Sequence, residues 1–324
     1  MDYLKKEPID VSVIMTTYGH ENFIEKAILG VLDQEFDGTI ELIISNDKSP
    51  DNTNEVVESI LKKKKYDPSK FSIRYYNHIV NKGSIKNFIW TYEQAKGRYI
   101  AVCEGDDYWI DSNKIQRQVD FLDANADCNL VYHRVLLYDN EEGRFMHETL
   151  NKTEVEAKKD LVQISSGNFI HTPSVLFRNN LPSIKLLENS LVGDYVLWFL
   201  NGEVGKYGYL PQFMAVYRMS NISIFGKKSV FFQSMHVLKA VLNLKNYAKC
   251  RKIRQNFIKQ SQKISEDVGI SALSTKEFGQ LFMLMFKISP SNATYLLKRI
   301  SEKLVFRKAV VLSLFITNPE LYVY

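Results

Sequence analysis

The 324 residues are 45% apolar and 24% charged, the composition of an ordinary globular chain with room for one large domain and an appendage. The N-terminus, MDYLKKEPID, lacks the apolar core of a secretory signal. Three well-separated cysteines, Cys103, Cys128 and Cys250, argue against a disulfide framework, and no run approaches the roughly 18 apolar residues of a spanning helix. The expected location is therefore the cytoplasm, with any membrane contact peripheral at the inner face. The net charge of +5 is unevenly placed: residues 227–324 hold 17 Lys or Arg against 5 Asp or Glu, a surplus of +12, which leaves 25 against 32, or −7, for residues 1–226.

Along the chain, 11–15 (VSVIM) is a short apolar, β-branched run that opens into the turn-prone TTYGH of 16–20, as a buried strand entering a loop would. Apolar residues at helical spacing between Glu21 and Leu32 predict a helix, and 41–45 (ELIIS) a second buried strand. Residues 54–65 read as a helix ending in four lysines, 71–76 as a strand, 84–95 as a helix and 98–103 as a fourth strand. This alternation predicts an α/β fold, an open and mostly parallel sheet flanked by helices. Further on, 113–122 reads as a helix, 130–139 as a strand, 140–160 as a hairpin or loop, 169–178 and 209–218 as strands, and 194–200 as a helix between them. Beyond Phe225 only helices are expected. The charge shift there divides the chain into a domain over 1–225 and a basic helical region over 226–324.

In an open α/β sheet, ligands gather at the carboxyl ends of the strands. Three such ends carry polar groups: Thr16 with Tyr18, Asn46 with Asp47, and Glu104 with Asp106 and Asp107. The first offers a hydroxyl and an aromatic face to a base, and the second an acceptor for a ring N–H. The third offers oxygen ligands to Mg²⁺ or Mn²⁺, whose binding would relieve the mutual repulsion of three close carboxylates. The competing reading is an acidic turn capping the helix near Asn113. Glycine-rich phosphate loops, His-Glu-x-x-His, Cys-x-x-Cys and Gly-x-Ser-x-Gly are absent, which disfavours hydride transfer, ATP hydrolysis and serine hydrolysis.

The segments 11–34 (VSVIMTTYGHENFIEKAILGVLDQ), 41–53 (ELIISNDKSPDNT), Asn81-Lys-Gly, 95–100 (AKGRYI) and 103–109 (CEGDDYW) together resemble the successive motifs of inverting family 2 glycosyltransferases with the GT-A fold, of the bacterial polysaccharide-biosynthesis type. The resemblance implies transfer of a sugar from a nucleotide-sugar donor, with UDP preferred, to a saccharide or lipid-linked glycan acceptor. It implies Thr16, Tyr18 and Asp47 at the nucleobase, Lys86 near the nucleotide, Glu104 near the donor sugar or ribose, Asp106 on the diphosphate metal and Asp107 in support. Residues 193–198 (GDYVLW) resemble the family's general-base segment, making Asp194 the expected base; its alternative role is to cap the helix it begins. Many relatives carry a histidine soon after the pair matching Tyr217-Arg218, where this chain has Met219-Ser220-Asn221. His171 reads as a structural histidine or one facing the acceptor. The span 235–264 reads as one basic amphipathic helix, which either packs or lies on an anionic membrane surface. A non-catalytic nucleotide- or glycan-binding module is the alternative function; no nucleic-acid-binding motif accompanies the basic tail.

Overall fold

In the computed structural model, the described residues are 9–146, 158–219 and 229–272. They belong to two compact units, one within 1–227 and the other from 228 onward. The first begins with β1 (Val11–Thr17), α1 (Ile24–Leu32), β2 (Ile40–Asn46), α2 (Thr53–Lys63), β3 (Phe71–Asn77), α3 (Ser84–Gln94) and β4 (Tyr99–Val102). β3, β2, β1 and β4 lie side by side, all parallel. Every residue of β2 is buried, as a strand covered on both faces by crossover helices must be. α1 turns Ile24, Ala27, Ile28, Val31 and Leu32 inward, and these pack with Val13, Leu42 and Ile44 of the strands in one apolar core.

After β4 the chain leaves the parallel pattern. β5 (Tyr108–Trp109) is followed by α4 (Lys114–Ala124), the long β6 (Cys128–Asp139) and β7 (Arg144–Met146), which pairs back onto β6. Then come β8 (Lys158–Lys159), α5 (Leu161–Ile164), β9 (Leu176–Arg178), α6 (Gly193–Val204) and β10 (Lys206–Met219). β9 joins β4 to β6 antiparallel to both, β10 runs parallel to β6, and β5 pairs antiparallel with β10. The sheet order is thus β3-β2-β1-β4-β9-β6-β10-β5. The strand expected over 169–178 is confined to β9, because Thr172-Pro-Ser174 forms a 3-10 turn; proline has no N–H for a ladder.

In the second unit the single helix expected over 235–264 is two, α7 (Val230–Tyr247) and α8 (Arg251–Ala272), which pack against each other. The break comes at Ala248, whose backbone is extended and whose carbonyl accepts from the Arg254 guanidinium at 2.9 Å. Among the described residues no helix is long and apolar enough to cross a membrane. The apolar runs 282–286 and 309–316 lie outside the described residues.

Candidate active site

β1, β2 and β4 end side by side, and backbone bonds tie the loops that leave them. Gly105 N donates to the Thr16 carbonyl at 2.9 Å, Asp47 N to the Thr17 carbonyl at 3.0 Å, and Cys103 N to the Ile14 carbonyl at 3.0 Å. This brings Thr16, Tyr18, Asp47, Glu104, Asp106 and Asp107 to one rim of the sheet. Thr16 is half-buried, the Tyr18 ring is exposed, and Lys86 is exposed on the first turn of α3.

Asp47 is buried and clamps the loop of the Asn81-Lys-Gly motif. Its Oδ1 accepts from Lys82 N at 2.6 Å, its Oδ2 from Gly83 N at 2.9 Å, and its carbonyl from Asn81 Nδ2 at 2.9 Å. Gly83 has φ of +84°, a conformation that favours glycine. Each carboxylate oxygen keeps a second lone pair for a further donor. Asn46 turns its Oδ1 to Ser49 N and Oγ instead, at 2.9 and 2.7 Å, and holds the turn after β2.

The acidic motif is folded back by β5. Because Val216 pairs with Tyr108 and Ala215 with Trp109, the end of β10 meets Asp106 and Asp107. Arg218 N donates to Asp107 Oδ1 at 2.8 Å, and the Arg218 guanidinium to the Asp106 carbonyl at 2.8 Å. The guanidinium is also 4.4 Å from the centre of the Tyr108 ring and 5.2 Å from that of Phe23. One carboxylate oxygen from each of Glu104, Asp106 and Asp107 lies within 4.8 Å of the others. Burial first, and then the charges of Asp106 and Asp194, push the Glu104 carboxyl up to about 8. Burial and the Asp106 charge push Asp107 well above the carboxylate range, against the opposing bond from Arg218 N. Three crowded, desolvated oxygen donors form a set that fits a hard divalent cation. Capping does not account for them: the turn before α4 is held by Asp111, whose Oδ1 accepts from Asn113 N at 2.8 Å.

Asp194 stands in the first turn of α6, a helix whose residues Tyr195 to Leu200 are all buried. Its Oδ2 accepts from Asn168 Nδ2 at 3.0 Å. Burial raises its carboxyl, while bonds from the Tyr195 amide and Asn168 oppose that rise. Its charge is felt by both Glu104 and Tyr217, which puts it in the neighbourhood of the acidic motif, and its bond to the Tyr195 amide gives it a helix-end role as well. His171 has its ring 5.1 Å from that of Tyr217, and burial pulls its imidazole down to about 4. Sequence reasoning assigned no role to His20, Arg218 or Asn168. His20 lies within the 11–34 segment and Arg218 within the strand expected over 209–218, but only the folded sheet brings them to Asp106.

The model of the family described as "Glycosyl transferase family 2" matches residues 12–183, just over half of the chain. The chain belongs to glycosyltransferase family 2. An uncharacterized protein of Mycobacterium tuberculosis is 29% identical over 217 residues, 64% of this chain and 58% of that protein, so the match spans little more than half of the relative. The GalNAc(5)-diNAcBac-PP-undecaprenol beta-1,3-glucosyltransferase of Campylobacter jejuni is 23% identical over 287 residues, 86% of this chain and 87% of that enzyme. Among solved structures, S. aureus TarS 1–349 in complex with UDP superposes with a TM-score of 0.57 at 16% identity, over 85% of this chain and 75% of that one. The mannosyltransferase PcManGT of Pyrobaculum calidifontis, in complex with GDP-Man and Mn²⁺, gives 0.55 at 12% identity over 91% and 86%. At these identities the likeness is one of fold, and the fold of this family 2 member is GT-A.

Proposed function

We propose that this chain transfers a sugar from a nucleotide-sugar donor, preferably a UDP-sugar, to a hydroxyl of a glycan or lipid-linked saccharide, inverting the anomeric carbon, in surface-polysaccharide synthesis. The observation that carries the reading is the placement of Asp194, on a separate helix, against the Glu104-Gly-Asp-Asp107 motif at the strand ends. The C. jejuni relative, named for a PP-undecaprenol glycan, supports the acceptor class. The TarS complex with UDP supports the donor class.

In this reading Thr16 and the exposed ring of Tyr18 line the base pocket. Asp47, already oriented by the Lys82 and Gly83 amides, accepts the ring N–H. Lys86 stands near the nucleotide and Glu104 near the ribose or donor sugar. Asp106 and Asp107 hold a Mn²⁺ or Mg²⁺ ion, which when bound supplies neutralisation of the diphosphate charge. The Mn²⁺ in the Pyrobaculum neighbour supports that choice of ion. Asp194 takes the acceptor hydroxyl proton as the oxygen forms its bond to the anomeric carbon and the bond from that carbon to the diphosphate breaks. Asn168 and the backbone amides at the start of α6 orient the Asp194 carboxylate. With the boundary expected at 225/226, this chemistry would belong to the first region, and the basic second region would contact an anionic membrane surface at the cytoplasmic face.

The test is nucleotide release from a panel of UDP-, GDP- and dTDP-sugars with Mn²⁺. Turnover that depends on metal and disappears in Asp106→Ala supports the reading, whereas full activity in Asp106→Ala removes the metal assignment. Asp194→Asn should abolish transfer while donor binding persists, and transfer at the normal rate would place the base elsewhere.

A further inference from the structure

The loop between β1 and α1 carries an imidazole toward the acidic motif. His20 Nε2 lies 3.9 Å from Asp106 Oδ2, with 14% and 22% of the two side chains exposed. That separation is too long for a hydrogen bond. Donor atoms on adjacent corners of an octahedral cation, each at about 2.1 Å, stand about 3 Å apart, so the two side chains would close by about 1 Å to share one ion.

The other ring nitrogen has its own partner, Thr17 Oγ1, 3.1 Å from His20 Nδ1. A hydroxyl can accept from Nδ1–H, and in that tautomer the Nε2 lone pair is free for a cation, the arrangement second-shell partners give to metal-binding histidines. The loop itself is pinned at several points. His20 N donates to Thr53 Oγ1 at 2.9 Å, Gly19 N to Ser49 Oγ at 3.0 Å and Glu21 N to Asp51 Oδ2 at 3.1 Å, while the His20 carbonyl receives the Phe23 and Ile24 amides at 2.9 Å. The imidazole packs edge-on to Phe23, 6.3 Å between centres. It also closes on the motif at Gly105, where a Cβ would stand 2.8 Å from Nδ1.

We propose that His20 Nε2 is a ligand of the divalent ion bound at Asp106, donated from the first strand-end loop. The inference rests on the metal-dependent reading given above and adds a nitrogen donor to it. A mixed nitrogen and oxygen set suits Mn²⁺ better than Mg²⁺.

The experiment uses the full chain with Mn²⁺ and UDP and reads the bound ion by electron spin-echo envelope modulation. The expected spectrum shows phosphorus coupling from UDP together with a ¹⁴N coupling of a bound imidazole. The nitrogen coupling should vanish in His20→Gln, with Mn²⁺ affinity reduced at least about tenfold, and persist in His171→Gln. Circular dichroism verifies folding, with His20→Asn as the second variant. Phosphorus coupling without nitrogen coupling in the wild type overturns the ligand assignment and leaves the metal-dependent reading standing. Nitrogen coupling that survives in His20→Gln, or is lost in His171→Gln, also overturns it. Absence of any Mn²⁺–UDP complex sinks the metal-dependent reading and this inference with it.

Discussion

Substituting Gly105 by alanine tests how tightly the first and fourth strand-end loops are locked. An added Cβ would stand 2.7 Å from Thr17 Oγ1, 2.8 Å from Thr17 Cβ and 2.8 Å from His20 Nδ1, all closer than non-bonded carbon normally tolerates. Thr17 is 2% exposed and its carbonyl is bonded to Asp47 N, so β1 has little freedom to retreat. The loop carrying Glu104 and Asp106 must then lift. Overpacking of this kind costs about 1 to 3 kcal/mol, which for a unit of this size corresponds to a Tm lowered by about 2 to 12 °C in thermal unfolding. Lifting also separates Asp106 from His20, so transfer should fall by about 10- to 100-fold. Adding His20→Ala relieves one contact and leaves both Thr17 contacts, so it should restore the Tm only in part. A Gly105→Ala protein with wild-type Tm and wild-type Mn²⁺ affinity would refute the locked-loop reasoning, because it would mean that the two loops part at no cost.

Glu104 gives a pH signature. Its folded-state carboxyl is pushed up to about 8 from 4.5, so the folded chain keeps a proton that the unfolded chain has lost. The metal-free Tm should therefore decline as pH rises from about 5 to 8, and Glu104→Gln should flatten that decline; Mn²⁺ should raise the Tm more at pH 8 than at pH 6, where protons compete with it. Asn168→Ala removes a bond that favours ionised Asp194, so the acid limb of kcat/KM should move upward; an unmoved limb would show that Asn168 does not tune the base. Arg218→Lys keeps the charge but loses the guanidinium bond to the Asp106 carbonyl and the faces of Tyr108 and Phe23. It should cost about 1 to 2 kcal/mol in urea unfolding and weaken Mn²⁺–UDP binding in calorimetry.

The parallel half of the sheet was legible because each of its strands is an apolar run ending at polar residues, and each helix after it has one apolar stripe. The expected strands over 41–45 and 71–76 lie within β2 and β3. Legibility fell where local pattern and backbone chemistry disagreed. The run 169–178 is apolar enough for a strand, but Pro173 forces a turn and leaves three strand residues. The helical periodicity of 235–264 continues through Ala248, so the pattern alone could not mark the break between α7 and α8. Gly105 is a place where two loops touch, which nothing in the local pattern marks. Such approaches join residues distant in the chain, as Arg218 and Asp106 are, and periodicity carries no information about them.

Glu104, Asp106 and Asp107 crowd together and Glu104 feels the charge of Asp194 nearby, and the partners of these carboxylates differ in kind. Asp106 and Asp107 are bonded, by backbone oxygen and side chain respectively, to Arg218, whose buried guanidinium brings a positive charge to the motif. Among the described residues the bonds to Asp194 come from neutral groups, the Asn168 amide and backbone amides at the start of α6. Burial and mutual repulsion raise the Glu104 and Asp107 carboxyls despite Arg218, so a bound cation would relieve a repulsion that this one guanidinium does not. A buried carboxylate oriented by neutral donors keeps a raised affinity for a proton, which suits a group that must take one from a hydroxyl. What distinguishes Asp194 is its partners, neutral donors on its own helix and at Asn168, whereas the motif carboxylates crowd one another beside Arg218. On this logic, a lysine placed at Asn168 should depress the Asp194 carboxyl and slow transfer while leaving Mn²⁺–UDP binding intact. An alanine at that position should do the reverse to the carboxyl, and this opposition between the two variants is the signature of a base tuned by its neighbour.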